Sequence, residues 1–234
     1  MQLEATAPDA AFARLQQSRA YDLLMRLPLL GWSLLCATVQ IAGLSQYLHA
    51  AQSARFDAVF AIHIAMRLST LGFLMLLAAT VLLRARPQDK AQGVEPRISA
   101  LIGSFLIYAI PFFPRCDLPL TAGLVSTVLV LFGSVAAIVA LAQLGRSFSI
   151  MAEARRLVTS GPYRWVRHPL YLAEELAIIG LALQFASLWT ALLLAGQIAF
   201  QLRRMHNEEA VLARTFSQYA EYRARTARLI PGIY

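Results

Sequence analysis

Two short runs in this chain combine ionisable groups densely enough to do chemistry. The first, SGPYRWVRHPLY at 160–171, gathers Tyr163, Arg164, Arg167, His168 and Tyr171 in a rigid Gly161-Pro162 and His168-Pro169 frame. The second, Asn207-Glu208-Glu209, follows after one more hydrophobic stretch. Together they offer guanidinium and imidazole groups for an anion, carboxylates for a cation, and phenols that serve either. Both runs border segments suited to lipid, where polar and charged side chains cost free energy unless they bind something. A second acidic pair, Glu174-Glu175, sits just inside the apolar stretch after the first run. Each acid would cost roughly 2–3 kcal/mol at mid-bilayer and less near its edge. The pair is therefore expected to face a pocket, preferably paired with Arg164 or Arg167, or else binding an amine on a substrate. His63 and Arg67, four residues apart on one helix face, are the other intramembrane polar pair. They either join Gln40 or Gln143 across helices or shape a substrate channel.

The elements that must position these groups are helices. The chain has 234 residues, of which 58% are hydrophobic, and a mean hydropathy of +0.57, against an apolar share nearer half in soluble domains. Apolar stretches cover about 27–49, 57–83, 98–113 and 118–144, and then about 170–185 and 187–204, joined by a brief turn at Ala186-Ser187. About 20 such residues span a bilayer as a helix. The third stretch is short and carries Pro111 and Pro114, so it should end in a tight break. Leu212, Phe216, Tyr219 and Tyr222 then recur at three- and four-residue spacing, the pattern of an amphipathic helix roofing the site from the membrane face. The fold expected is all-α: a polytopic transmembrane bundle of about six spans with a C-terminal amphipathic interfacial helix. It divides into an arm at 1–26, four spans at 27–144 and a catalytic region at 145–234.

Charge distribution supports that arrangement. The net charge of +8 would suit nucleic acid, but the basic residues sit at the ends of apolar stretches rather than on one soluble patch. Along successive connections the basic count alternates 3, 1, 4, 1, 5, 0, 6, which fits six spans with both termini, and both chemical runs, in the cytoplasm. Cys36 and Cys116 lie far apart with no Cys-x-x-Cys, so neither a disulfide nor a metal site is indicated. The first 26 residues begin with Glu4 and Asp9 rather than a basic region, unlike a cleaved signal. Twenty Arg against one Lys hints at a GC-rich bacterial genome, and hence at an inner-membrane protein.

The order Arg167-His168-Pro169-Leu170-Tyr171, then Glu208-Glu209 one helical hairpin later, resembles integral-membrane methyltransferases of the isoprenylcysteine carboxyl methyltransferase and phospholipid N-methyltransferase group. Flanking residues 157–163, together with Tyr219, Tyr222 and Pro231, match as well, so the resemblance covers about 144–234. It implies S-adenosylmethionine as cofactor. The site residues implied for cofactor binding are Tyr163, His168, Pro169, Tyr171, Glu208 and Glu209. His168 would anchor a polar group and the glutamates the ammonium. Arg167, Glu174 and Glu209 are the candidates for catalysis. Such a cofactor needs a basic anchor, an acidic anchor and aromatic or apolar walls, and methyl transfer depends mostly on alignment and electrostatic fit. No G-x-G-x-x-G after a strand is present, so helix ends and loops must build the pocket. Ala173 stands where the family usually has Gly.

Plainer readings stand beside these. The arginines serve as headgroup anchors, His168 as an interfacial histidine, Glu208-Glu209 as a solvated helix start, and the tyrosines as an aromatic belt. The function expected is methyl transfer to a lipophilic carboxylate, amine, phenol or thiol taken from the bilayer, with no nucleic-acid partner. The alternative is a non-catalytic membrane protein or small transporter on the same scaffold. Neither the acceptor nor the oligomeric state is readable from the sequence.

Overall fold

The computed structural model describes residues 23–24, 26–50 and 57–232. Arg14 and Arg19 of the N-terminal arm, and Arg55, lie outside the described residues. Seven helices are named here in chain order: α1 (Leu27–Ala50), α2 (Ala58–Leu83), α3 (Glu95–Phe105), α4 (Leu120–Leu144), α5 (Pro169–Leu183), α6 (Leu188–Thr215) and α7 (Tyr219–Arg225). Two-residue strands β1 (Asp89–Lys90) and β2 (Glu153–Ala154) pair antiparallel, Asp89 opposite Ala154 and Lys90 opposite Glu153. The molecule is an all-α membrane bundle.

Local signals set the helix starts. Asp57 caps α2 by accepting from the Phe60 amide at 2.8 Å, and Ser187 caps α6 by accepting from the Thr190 amide at 3.1 Å, each satisfying an otherwise orphan donor. Proline stands in the first turn of α3 and of α5, where its missing N–H costs nothing. The short third stretch breaks as expected. After Phe105 the chain tightens into a 3-10 turn over Leu106–Phe112 that contains Pro111.

Among the described residues, three segments are long and apolar enough to cross a membrane: Leu27–His49, Ala58–Leu83 and Leu120–Ser147. Their outer faces are apolar, with Val39, Phe132 and Leu83 all exposed, as lipid-facing surface is. The six expected stretches are all helical, but the count of six spans is not established. The 15 residues of α5 reach only about 22 Å, short of a hydrocarbon core of about 30 Å. The 28-residue α6 runs without a break from the apolar hairpin through Glu208-Glu209 to Thr215. The expected amphipathic helix is thus divided: Leu212 lies in the last turn of α6, Phe216 follows its end, and Tyr219 and Tyr222 belong to the separate α7.

The helices form two packed groups. In the first, α2 packs against α1 and α4, and α4 packs along α5; in the second, α3 packs along α6. The α4–α5 contact is close because its small residues let the backbones approach. A Cβ at Gly133 would lie 2.5 Å from the Ala177 amide nitrogen, and one at Gly180 would lie 2.8 Å from the Ser126 carbonyl oxygen. Ser126 donates to the Gly180 carbonyl at 2.7 Å and receives from Gln184 at 2.9 Å. The hairpin partners α5 and α6 touch each other much less.

The arginine-rich connections gather at one end. The β1–β2 ladder joins 84–97 to 145–169, Arg146 donates to the Leu83 carbonyl at 3.0 Å, and Arg214 of α6 pairs with Asp89. At the other end, the Cys116 amide donates to the Gln184 carbonyl at 2.9 Å. The intramembrane pair has local partners rather than Gln40 or Gln143. His63 Nε2 lies 3.3 Å from Thr127 Oγ1, while Arg67 stacks 5.6 Å over the Tyr47 ring. The Arg67 guanidinium fills the notch left by Gly43, where a Cβ would sit 2.7 Å from its Nη1.

Candidate active site

The motif loop reaches the site through a turn that only glycine enters easily. Gly161 has φ +60°, and a Cβ there would meet the Gln143 side chain at 2.9 Å. From it a 3-10 turn over Gly161–Arg164 carries Tyr163 inward. Arg164 instead stacks outward on exposed Trp165, 3.9 Å from the ring centroid, which fits the interfacial reading for this one arginine. Pro169 then starts α5 and fixes the exit direction of His168.

Around Glu209 the two sequence runs meet. Its Oε1 accepts from Arg167 Nε at 2.8 Å, His168 Nε2 at 3.1 Å and Arg228 Nε at 3.1 Å, and its Oε2 accepts from Arg228 Nη2 at 2.7 Å. Glu209 is only 5% exposed. Burial alone would raise its carboxyl. The hydrogen bonds from His168, Arg228 and Arg167 outweigh burial and hold it well below the usual carboxylate range. The tail closes this knot through the backbone. The amides of Arg167 and His168 donate to the carbonyls of Ala227 and Arg228 at 2.9 and 3.1 Å, and Arg167 Nη1 also donates to the Thr226 carbonyl.

Glu208, next along α6, faces the other way. Its Oε1 accepts from the Tyr171 hydroxyl and from Arg204 Nε at 3.1 Å. The Arg204 guanidinium lies 4.6 Å over the Tyr171 ring, whose other neighbour is the His168 ring, stacked at 5.3 Å with 7° between planes. Arg204 also donates to Ser104 Oγ at 2.9 Å, while Asn207 donates to Ser99 Oγ at 3.0 Å and to the Glu95 carboxylate at 3.1 Å. These contacts hold α3 against α6 beside the site.

Between the motif loop, α6 and α7 lies an open-mouthed pocket of about 100 Å³. Tyr163, Arg167, His168, Tyr171 and Glu208 line it, with Arg155 and Arg156 and the apolar Phe148, Leu157, Val158 and Leu212; Tyr219 and Tyr222 form its roof. Tyr222 donates to the Tyr163 carbonyl at 2.7 Å. The hydroxyls of Tyr163 and Tyr219 are buried without a partner. Burial, reinforced by the Glu208 charge, pushes the Tyr163 phenol well above its ordinary value, so it remains a donor. Burial likewise pushes Tyr222 up to about 12.

Of the motif and acidic residues singled out from the sequence, Arg164, Pro169, Glu174, Glu175 and Glu209 are not on the pocket wall. Pro169 and Glu209 support it from behind. The acidic pair of α5 does not meet Arg164 or Arg167, contrary to the preferred expectation. Arg164 points outward and Arg167 is committed to Glu209. Glu174 instead interacts with Arg204 and Gln201, and Glu175 accepts from Gln197 at 2.7 Å. Ala173 is buried on α4, where its carbonyl abuts Gly133, so it is a helix-packing residue. Sequence reasoning missed Arg204 and Arg228 as site residues. Arg204 had a legible signal, a position four residues before Glu208 on one helix. Arg228 had none, because only the fold returns the tail to the motif.

Comparison with known proteins matches this segment. Residues 125–214 match the model of the isoprenylcysteine carboxyl methyltransferase (ICMT) family. The match takes in the motif loop and both glutamates and stops short of α7 and Arg228. The chain is 38% identical over 102 residues to the cobalt-zinc-cadmium resistance protein CzcN of Cupriavidus metallidurans, covering 41% of this chain and 46% of that protein. It is 34% identical over 84 residues to the nickel-cobalt-cadmium resistance protein NccN of Alcaligenes xylosoxydans xylosoxydans, covering 35% of this chain and 38% of that protein. The aligned part is thus less than half of either relative.

Proposed function

We propose that this membrane protein transfers a methyl group from S-adenosylmethionine to a lipophilic acceptor. The observation that carries the reading is the pocket itself. It joins an acid, Glu208, to buried unpaired phenol donors, Tyr163 and Tyr219, along an apolar wall. That donor and acceptor set fits a ligand bearing an ammonium, a carboxylate and a flat apolar ring. Glu208 would hold the ammonium. Arg156 at the mouth and the Tyr163 hydroxyl would take the carboxylate, and Phe148, Leu157 and Val158 would flank the adenosine. When bound, the cofactor supplies a methyl carbon whose bond to sulfur breaks with the electron pair staying on sulfur, as the acceptor atom forms its bond to that carbon. This chain's residues contribute alignment and water exclusion. His168 and Arg204 both pack on Tyr171, Tyr171 and Arg204 fix the Glu208 carboxylate, and the α7 tyrosines cover the pocket. The arginine-rich end would face the cytoplasm of a bacterial inner membrane, with both termini there.

Calorimetry of the detergent-solubilised full chain with S-adenosylhomocysteine tests the reading. Wild-type protein should bind it, and Glu208→Gln should weaken binding about tenfold or more, the cost of one charge-assisted contact of roughly 1.5–3 kcal/mol. No binding by the wild type would overturn the proposal in favour of a non-catalytic role for the scaffold. The names of the two relatives favour a second, compatible reading, in which the methylated product serves tolerance of divalent metals. Loss of the gene should then sensitise cells to cobalt or cadmium, and a deletion strain that grows normally on both would dismiss it.

A further inference from the structure

Behind the pocket, where α3, α5 and α6 converge, the structure contains a polar node that the methyl-donor site does not use. Gln197 and Gln201, one turn apart on α6, are 0% and 2% exposed. Gln197 Nε2 donates to Glu175 Oε1 at 2.7 Å and to the Gly103 carbonyl at 3.2 Å. Gln201 Oε1 rests against Gly103, where a Cβ would lie 3.2 Å away, and its side chain meets Glu174. Within this node three buried oxygens have no donor: Gln197 Oε1, Gln201 Oε1 and Glu175 Oε2.

Unmatched buried acceptors are costly unless a donor reaches them. The node has acceptors in excess, and the guanidinium beside Glu174, Arg204, is already bonded to Glu208 and Ser104. A primary ammonium is the simplest group that answers it, since it brings a positive charge and three N–H donors to three oxygens. A carboxylate would bring only further acceptors to these oxygens. The node is also well placed. Glu174 follows Tyr171 by one turn of α5 and Gln201 precedes Arg204 by one turn of α6, so it adjoins the inner wall of the pocket.

We infer that Gln197, Gln201 and Glu175, with Glu174, form a recognition site for the amine head of a lipophilic ligand. If methyl transfer is the activity, this is the acceptor site, and it selects amines over the carboxylates that the family's name evokes.

The test measures equilibrium binding of dodecylamine and of dodecanoate to the full chain in lipid nanodiscs, with S-adenosylhomocysteine titrated separately. Wild-type protein should prefer the amine at least tenfold. Glu175→Gln and Gln201→Leu should each remove most of that preference without changing S-adenosylhomocysteine affinity. Gln201→Glu keeps the side-chain shape, so it remains informative if the leucine variant fails to fold, and it should strengthen amine binding several-fold. Equal affinity for the two ligands, or an amine preference untouched by all three substitutions, would overturn the inference. Loss of S-adenosylhomocysteine binding with the amine preference intact would refute the methyltransferase reading alone.

Discussion

Replacing Glu209 by Gln would test whether the knot beneath the pocket holds the fold together. The amide keeps the shape, but it removes the charge shared by Arg167, His168 and Arg228 and turns one acceptor into a donor facing donors. Uncompensated loss of one partner in a buried ion pair costs about 3–5 kcal/mol. Glu209 is 5% exposed and its guanidinium partners 11% and 16%, so little of that is relieved by water. For a chain of this size each kcal/mol moves the midpoint by about 2–4 °C, giving a fall of roughly 6–20 °C. Thermal unfolding in detergent, followed by tryptophan fluorescence, reads this directly. Adding Arg228→Met closes a double-mutant cycle, in which the arginine should matter less once Glu209 is gone, with a coupling of roughly 0.5–3 kcal/mol. A shift within about 2 °C for Glu209→Gln, or strict additivity in the cycle, would refute the assignment of Glu209 as the central acceptor.

Other outcomes follow from the same geometry. Because the Glu209 carboxyl is held low, its stabilisation is complete above the unfolded carboxylate value of about 4.3 and drains as pH falls below it. The wild-type midpoint should therefore drop on acidification below about pH 4, and Glu209→Gln should flatten that limb in a pH series of melts. Gly133→Ala should cost roughly 1–3 kcal/mol by overpacking, since its Cβ would press on backbone atoms of α5 that cannot swing away; an unchanged melting midpoint would show that α4 and α5 have room to separate. Reporter fusions at about residue 90 and at the C-terminus should both read cytoplasm and one at about 116 the opposite side, and a cytoplasmic report at 116 would break the proposed orientation.

Much of this was legible in the sequence because the membrane simplifies the code. Unbroken apolar runs must become helices, so all six stretches were found. The arginine alternation brought the loops at 90 and 155 to one end, where β1 and β2 do pair. Proline marked the break after Phe105. What escaped was orientation around a helix axis and contact across long sequence separation. The spacing of Tyr219 and Tyr222 was read as continuing one helix. Phe216 leaves helical geometry, with φ −118° and ψ 115°, and the chain turns back over the pocket. Glu174 and Glu175 are expected from the sequence to face the pocket, but neither lines it, and their partners are Gln197, Gln201 and Arg204. A glutamine inside an apolar run carries no sign of which neighbour it will meet.

The two adjacent glutamates show how one helix can do two different jobs at one site. Neighbouring positions on an α-helix point about 100° apart, so a Glu-Glu pair cannot serve a single ligand symmetrically. Here Glu209 turns toward the motif backbone and the returning tail, where three donor side chains saturate it. It fixes Arg167 and His168 and leaves no lone pair conspicuously open. Glu208 turns toward the cavity, where Tyr171 and Arg204 orient its carboxylate but part of it remains accessible from the pocket. One acid therefore locks the loop, and its neighbour presents charge to whatever the loop encloses. Arg204 extends the arrangement, because the same guanidinium that steadies Glu208 also lies beside Glu174. The side chain that positions the pocket's acid thus also stands beside the first of the two α5 glutamates.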